Sequence, residues 1–504
     1  MQHPTKFPIN KKSLIDLTGL IGLIGLNCFP VFILLNFCHR DLRACGCEDS
    51  LGYQVGPVER PDLAAERPLN VIVLVADDHR FDSLGVAGNP VIHTPRLDQM
   101  AAAGVHFTHA YVTTSICMTS RASILTGQYM SRHGIDQFGK PLTPNQFADS
   151  YPGSLRSAGY YSGFVGKYGV AAIRSEDFDF SRSYQGRHWM QVDGQRIHVT
   201  ERNVQDALSF LRQKPNDQPF LLSVSFFAPH AEDSAPEQYL PQPWSARFYD
   251  GVTIPDSPRM GTEFLKALPQ FLQDPKNEGR VRYHWRFDTA QRYQEYMRNY
   301  YRLITEVDQA VGKIIDQLEQ LQELENTMII YIGDNGYFHA DRGLADKWYP
   351  YEESIRVPLI IFDPRLEREQ RGLQVDQTVL NIDLAPTVIS AAGVPIPEAI
   401  QGRDLSPLYL PGQNFDSPEA ASVHWREEFF YEHPTITSRD RIPASQAVVN
   451  RQMKYVYWPE WEHEQLFDLV ADPDEKTDFS QATEYSDQLH QFRQRFQQWK
   501  KDVE

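Results

Sequence analysis

The chain has 504 residues, 41% of them hydrophobic and 23% charged, with a formal net charge of -17. That length suits more than one domain and a sizeable core. The negative balance excludes broad electrostatic binding to nucleic acid, and it requires any anion site to be positive locally.

The first element reads as an export segment. Lys6, Lys11 and Lys12 form a positive flank before an apolar stretch, 17–37, interrupted by Asn27 and Pro30. The stretch is long enough to span a bilayer, and its flanks fit an inside N-terminus. Residues 1–47 are therefore expected to be a signal or membrane-anchor segment, and 48–67 a polar linker. The expected location is periplasmic, extracellular or membrane-anchored, with cleavage left open. Of the five cysteines, Cys28, Cys38, Cys45 and Cys47 crowd this segment. Beyond residue 47 only Cys117 remains, so the body has no internal disulfide and Cys117 is available for other chemistry.

From Pro68 strands and helices alternate. Asn70-Val71-Ile72-Val73-Leu74-Val75-Ala76 is a continuous apolar run of the kind that fills a buried parallel strand, and it ends at Asp77-Asp78. Thr94 can cap a helix that opens with Pro95. A short strand over 107–112 leads to Cys117, just before a run that opens a helix. A side chain there meets the unpaired N–H groups of the helix N-terminus, and Arg121, four residues on, shares its face. Residues 162–166 form a strand ending at Lys167, 204–211 a helix, and 219–227 a buried strand ending at Pro229-His230. Residues 231–290 are proline-rich and expected to be irregular, as part of the substrate rim. A long helix follows, with Tyr300, Ile304, Val307, Val311, Ile314, Leu318 and Leu321 at core spacing. Met328-Ile329-Ile330-Tyr331-Ile332 is the next buried strand, ending at Gly333-Asp334-Asn335-Gly336, and Val357 to Phe362 another. Residues 382–392 read as a helix closed by Gly393. After about 405 come short strands over 447–450, 454–458 and 465–469, then a helix with Leu489, Phe492, Phe496 and Trp499 on one face.

The alternating units predict an α/β fold: a doubly wound, mostly parallel sheet flanked by helices over 68–404, with a smaller C-terminal α+β subdomain, an antiparallel sheet plus helix, over 405–504. Sites in such sheets lie beyond the carboxyl ends of the strands. Asp77 and Asp78, Lys167, His230, and Asp334 and Asn335 each stand at such an end. Together the three carboxylates and the amide make an oxygen-rich site for a hard divalent cation, Ca2+ before Mg2+; no His/Cys cluster has zinc spacing. Arg121, Lys167, His230 and Lys347, the last within Asp346-Lys347-Trp348-Tyr349, supply the local positive charge.

Taken in order, Cys117-Met118-Thr119-Ser120-Arg121 with Ala122-Ser123-Ile124-Leu125-Thr126-Gly127 resembles the signature of the type I, formylglycine-dependent sulfatases of the alkaline phosphatase superfamily. So do Val75-Ala76-Asp77-Asp78, Thr94-Pro95-Arg96-Leu97-Asp98, Gly166-Lys167-Tyr168, Gly333-Asp334-Asn335-Gly336, and Lys347 ahead of Glu352-Glu353-Ser354-Ile355-Arg356-Val357-Pro358. Glu464-Gln465-Leu466-Phe467-Asp468-Leu469 resembles that family's C-terminal subdomain. The likeness runs over roughly 68–480.

The resemblance implies that a separate formylglycine-generating enzyme oxidises Cys117 to Cα-formylglycine. One hydroxyl of its hydrated aldehyde attacks sulfur and displaces the alcohol; the other then expels sulfate. Asp77, Asp78, Asp334 and Asn335 would bind one calcium ion, with the modified Cys117 held against it. Arg121 and Lys167 would steady the formylglycine and the sulfate, Lys347 would contact the sulfate, His230 would protonate the leaving oxygen, and Asp334 would take the nucleophile's proton. Two positions depart from the family pattern: Thr119 replaces Pro or Ala, and Gly169 replaces a His that helps to hold the formylglycine. Carbohydrate-directed members share the Gly-Lys-Tyr form, so the expected substrate is a sulfated sugar or polysaccharide. The rivals are a phosphomonoester or phosphonate ester hydrolase of the same superfamily, and a silent protein that binds sulfated glycans. Selectivity is expected in 231–290 and in loops over 424–445 around Trp425, Glu432 and His433.

Overall fold

A computed structural model describes residues 68–184, 186–410 and 425–504. The expected export segment and linker, 1–67, lie outside the described residues. No helix among the described residues is long and apolar enough to cross a membrane.

Eight strands build the path of the central sheet: β1 (Asn70–Asp77), β2 (Val105–Tyr111), β3 (Tyr161–Gly166), β4 (Phe180–Ser183), β5 (Phe220–Pro229), β6 (Thr327–Gly333), β7 (Arg356–Phe362) and β8 (Leu373–Val375). Their order is β8-β2-β7-β6-β1-β5-β3-β4, and a ninth strand, Val379–Leu380, pairs with β2. Every pair is parallel except the two made by β7, which runs antiparallel to β2 and β6. The expected doubly wound sheet is present.

β1 shows why continuous apolar runs form the centre. Val71, Val73 and Val75 join the hydrophobic cluster on one face, and Ile72, Leu74 and Ala76 join the cluster on the other. Both faces are covered by helices, so no polar alternation is tolerated. The long helix Ala290–Gln320 packs its Tyr300, Ile304, Val307, Val311, Ile314 and Leu318 into the second cluster, as its stripe predicts, but Leu321 falls just past the helix end and is exposed.

Three expectations need correction. Thr94 stands at the N-cap of Pro95–Ala103, but its side chain makes no cap bond; it donates to Asp98 and accepts from the Gly85 N–H at 2.9 Å. Residues 231–290 are irregular only in their first half, apart from the turn Pro243–Phe248; the second half holds the short helices Thr262–Ala267, Gln270–Gln273 and Glu278–Arg286. Pro269 and Pro275 separate these helices, and Tyr239, Tyr249, Phe264 and Leu272 anchor the segment by burial. Finally, Glu432 and His433 are not on a loop. They end a buried strand, Glu428–His433, which opens a four-stranded antiparallel sheet completed by Ser445–Asn450, Met453–Trp458 and His463–Asp468. The helix Ser486–Asp502 covers that sheet through Leu489, Phe492 and Phe496.

Strand register places the polar ends level. Ala76 pairs with Gly333, Asp77 with Pro229, and Gly166 with Ser225. The residues that follow β3, β5 and β6 therefore leave the sheet beside Asp77.

Candidate active site

Cys117 is the first residue of the helix Cys117–Thr126, which ends at Gly127 in the left-handed conformation (φ 65°). Every side chain of this helix is buried. The loop before it is held from two directions. The Ser115 hydroxyl donates to the Ser354 carbonyl at 2.8 Å, and the Ser115 N–H donates at 3.4 Å to the Tyr431 hydroxyl, on the first strand of the second sheet, which itself donates to the Trp348 carbonyl at 2.7 Å. Thr119 donates to the Ile135 carbonyl at 2.8 Å, so the hydroxyl at this departure from the family signature is satisfied inside the fold.

The acids gather as their strand ends predict. Asp77, Asp334 and Asn335 are fully buried and Asp78 almost so. Asp78 sits at φ 63°, sparsely populated for a residue with a side chain. Two hydrogen bonds fix it there: its N–H donates to Asp334 Oδ1 at 3.1 Å, and its carbonyl accepts from the Tyr300 hydroxyl at 2.8 Å. Asn335 Nδ2 donates to Asp78 Oδ1 at 2.6 Å.

Each cation is paired with one of these acids. Lys167 bonds Asp77, and Lys347 bonds Asp78. Arg121 donates Nε to Asp334 Oδ2 at 2.7 Å, and its Nη2 lies 3.6 Å from Asp77 Oδ2. Its Nη1 donates to the Lys167 carbonyl at 2.6 Å and to the Ser225 hydroxyl. His230 Nε2 lies 3.6 Å from Asp78 Oδ2. The other ring nitrogen, 2.5 Å from the Ala231 carbonyl, must carry the proton there, because a carbonyl only accepts. Lys347 is flanked by two left-handed residues, Asp346 (φ 73°) and Trp348 (φ 85°), which turn its ammonium towards Asp78.

The electrostatics follow from burial set against pairing. Burial works to raise the Asp77 carboxyl, but Lys167, His230, Arg121 and Lys347 hold it well below the usual carboxylate range. Burial, with the Asp77 and Asp78 carboxylates beside it, pushes the Asp334 carboxyl up. Burial also lifts the Cys117 thiol against the pull of Lys167, and lowers His230 against the pull of Asp78.

Three buried oxygens in this cluster accept no hydrogen bond: Asp77 Oδ1, Asp78 Oδ2 and Asn335 Oδ1. Buried carboxylate and amide oxygens are rarely left so. Oxygen-only donors of this kind suit a hard divalent cation, so the expected ligand set fits one. Ligand atoms of Asp77, Asp78 and His230 come within 4.8 Å of one another. Both Asp334 oxygens are already taken, by the Asp78 N–H and by Arg121.

A cleft of about 710 Å³ opens onto the site and is lined by Cys117, Lys167, Gly169, His230, Phe138 and Asp233 among others. Asp233 and its neighbour Ser234 come from the 231–290 segment, which thus reaches the rim as expected. Glu432 and His433 are not among its described lining residues; Glu432 instead accepts from the Ser131 N–H at 2.8 Å. The Trp425 indole donates to the Thr378 carbonyl at 2.8 Å. Sequence reasoning missed Ser225, whose one signal is a hydroxyl, shared with Ser223, within the apolar β5. It also missed the Tyr300 hydroxyl, hidden in a core stripe. At Gly169, one of the two departures from the family pattern, a Cβ would lie 2.6 Å from Arg121 Cδ.

Comparison with known proteins places the chain in a family. The family model described as Sulfatase matches residues 69–394, and that described as N-sulphoglucosamine sulphohydrolase, C-terminal, matches 340–502. An N-acetylglucosamine-6-O-sulfatase of Bacteroides thetaiotaomicron is 25% identical over 84% of this chain and 84% of its own. Two solved structures share the fold. One, in complex with its substrate D-glucosamine-2-N,6-O-disulfate, is 24% identical with a TM-score of 0.72, over 87% of this chain and 98% of the other. The second, a phosphonate monoester hydrolase of Agrobacterium radiobacter, is 20% identical with a TM-score of 0.72, over 87% and 96%.

Proposed function

The chain belongs to the sulfatase family and is a sulfuric ester hydrolase; from that premise we propose that it acts on a sulfated carbohydrate, with Cys117 converted to formylglycine and a calcium ion beside it. The observation that carries this reading is the set of three unpartnered buried oxygens, Asp77 Oδ1, Asp78 Oδ2 and Asn335 Oδ1, beside Cys117, the cations of Arg121, Lys167 and Lys347, and His230. A sugar substrate is supported by the N-acetylglucosamine-6-O-sulfatase relative.

Asp77, Asp78 and Asn335, with Asp334, would hold the ion. The ion supplies fixed positive charge, and formylglycine supplies an oxygen nucleophile. The chain's own side chains do the rest. Arg121, clamped at Nε and Nη1, presents a cation that does not need to reorganise as charge develops. Lys167 and Lys347 border the same acids and add positive charge at the floor of the cleft. His230, fixed through Nδ1, has Nε2 as the atom that can carry a proton to the leaving oxygen.

The test starts with mass spectrometry of the peptide containing Cys117, from protein produced with a formylglycine-generating enzyme. The expected result is loss of sulfur and gain of an aldehyde oxygen. Parallel assays with 4-nitrophenyl sulfate and 4-nitrophenyl phosphate should favour the sulfate. An unmodified thiol, or a preference for phosphate, overturns the reading.

A further inference from the structure

Phe138 is the most exposed aromatic residue among the described large hydrophobics. Its side chain is 63% exposed, while the neighbouring Ile135 is buried. Gly139 follows at φ 82° with nothing within 4 Å of its missing side chain, so the turn stands open. Among the described residues, no aromatic ring or cation sits against Phe138. A bare phenyl ring adds nothing to the core, and water is its poorest surrounding.

Its position gives it a use, because Phe138 lines the same cleft as Cys117, Lys167 and His230. The lining of that cleft is divided by chemistry. Cations stand at the nucleophile, Asp233 and Ser234 are polar, and Phe138, Ala171, Ala172 and Phe227 are apolar. A sulfate group seated among the cations leaves its alcohol to extend along the rest of the cleft. An alcohol with one apolar face and one hydroxyl-bearing edge fits such a divided lining.

We propose that Phe138 is the platform on which the ring of the departing alcohol stacks, which makes it a specificity-determining residue. This rests on the reading of the site as a sulfate-ester hydrolase. A pyranose offers axial C–H bonds to the ring face and an aryl alcohol offers its own ring, so both classes gain from the contact. A sulfate ester of a small acyclic alcohol gains nothing.

The test compares the full chain with Phe138→Ala and Phe138→Trp. For N-acetylglucosamine 6-sulfate and 4-nitrophenyl sulfate, Phe138→Ala should raise KM about three- to tenfold, the size of one aromatic contact, with kcat moved far less. Phe138→Trp should keep KM near wild type. The thermal midpoint should barely move, because most of the residue is exposed. An unchanged KM in Phe138→Ala, or a lowered midpoint in its place, overturns the inference. Binding separates this from failure of the hydrolase reading. In a Cys117→Ala background, calorimetry with N-acetylglucosamine 6-sulfate needs no turnover, and Phe138→Ala should weaken Kd by the same factor. Equal affinity with and without Phe138, or no binding in either, overturns the inference. Absent sulfate hydrolysis by wild type overturns only the hydrolase reading.

Discussion

Arg121 and Gly169 occupy one another's space. Gly169 has φ 79°, and a Cβ there would lie 2.6 Å from Arg121 Cδ. Arg121 cannot retreat without loosening its bonds to Asp334, the Lys167 carbonyl and Ser225. Gly169→Ala should therefore act twice. The left-handed backbone costs about 1–2 kcal/mol of stability in any residue with a Cβ. Displacing the guanidinium should lower kcat by about tenfold or more while KM changes little, because a preorganised charge is lost where charge develops. Steady-state kinetics with 4-nitrophenyl sulfate check this; a kcat within twofold of wild type would show that Arg121 has room to spare. Gly169→His should fare no better, although His is the family's residue there. Asp77, Asp78, Lys167, Asp334 and Asn335 were legible in the sequence because each closes an apolar run. Ser225 was not, because what selects it is Arg121, which reaches its hydroxyl only once the helix Cys117–Thr126 packs against the sheet.

The long helix Ala290–Gln320 does more than fill the core. Its Glu306 accepts hydrogen bonds from the Gln242 N–H at 2.6 Å and from the Ser245 hydroxyl at 2.7 Å, tying down the turn Pro243–Phe248 at the start of the 231–290 segment. Proline spacing alone reads as loop there; the tether is invisible in sequence because Glu306 lies some sixty residues away within a helical stripe. Burial pushes the Glu306 carboxyl up to about 7, against these hydrogen bonds and the weaker pull of Arg302. His198 faces it at 3.5 Å but is itself lowered to about 3 by burial, so it stays neutral across the range that matters. The folded state thus holds the Glu306 proton more tightly than the unfolded chain does. That contribution is fully present below about 4.5 and is lost as pH rises through about 7. The stability of wild type relative to Glu306→Gln should fall between pH 4.5 and 8, by at most about 3 kcal/mol. Urea titrations of both proteins at several pH values measure the difference, and a gap that does not vary with pH would refute it.

At the scale of the molecule, the two sheets are not separable. One hydrophobic cluster runs from Val71 and Val73 of β1 to Phe429, Val448 and Phe467 of the second sheet. The sequence revealed both sheets, since their strand periods differ, but not the strand Glu428–His433, whose three apolar residues are flanked by acids and a histidine. Nor could it reveal the charges buried between the sheets. Lys454 is fully buried and bonds Glu475 at 2.5 Å and Glu352 at 3.2 Å. Arg342 lies 3.3 Å from Glu353 and donates to the carbonyls of Asp474 and Glu475. These groups clamp the segment that carries Lys347 to the second sheet. Lys454→Met removes the cation and leaves two buried carboxylates facing each other, so it should cost about 3–5 kcal/mol. Lys454→Met combined with Glu475→Gln should recover part of that loss, because the surplus charge is removed while the Glu352 N–H keeps an acceptor at position 475. Wild type and both variants should unfold in one transition, read alike by far-ultraviolet circular dichroism and by tryptophan fluorescence. A loss under about 1 kcal/mol would mean that water reaches and screens the network. Two separated transitions would mean that the second sheet folds on its own core, and the clamp would then be a contact between finished parts rather than a condition for building the site.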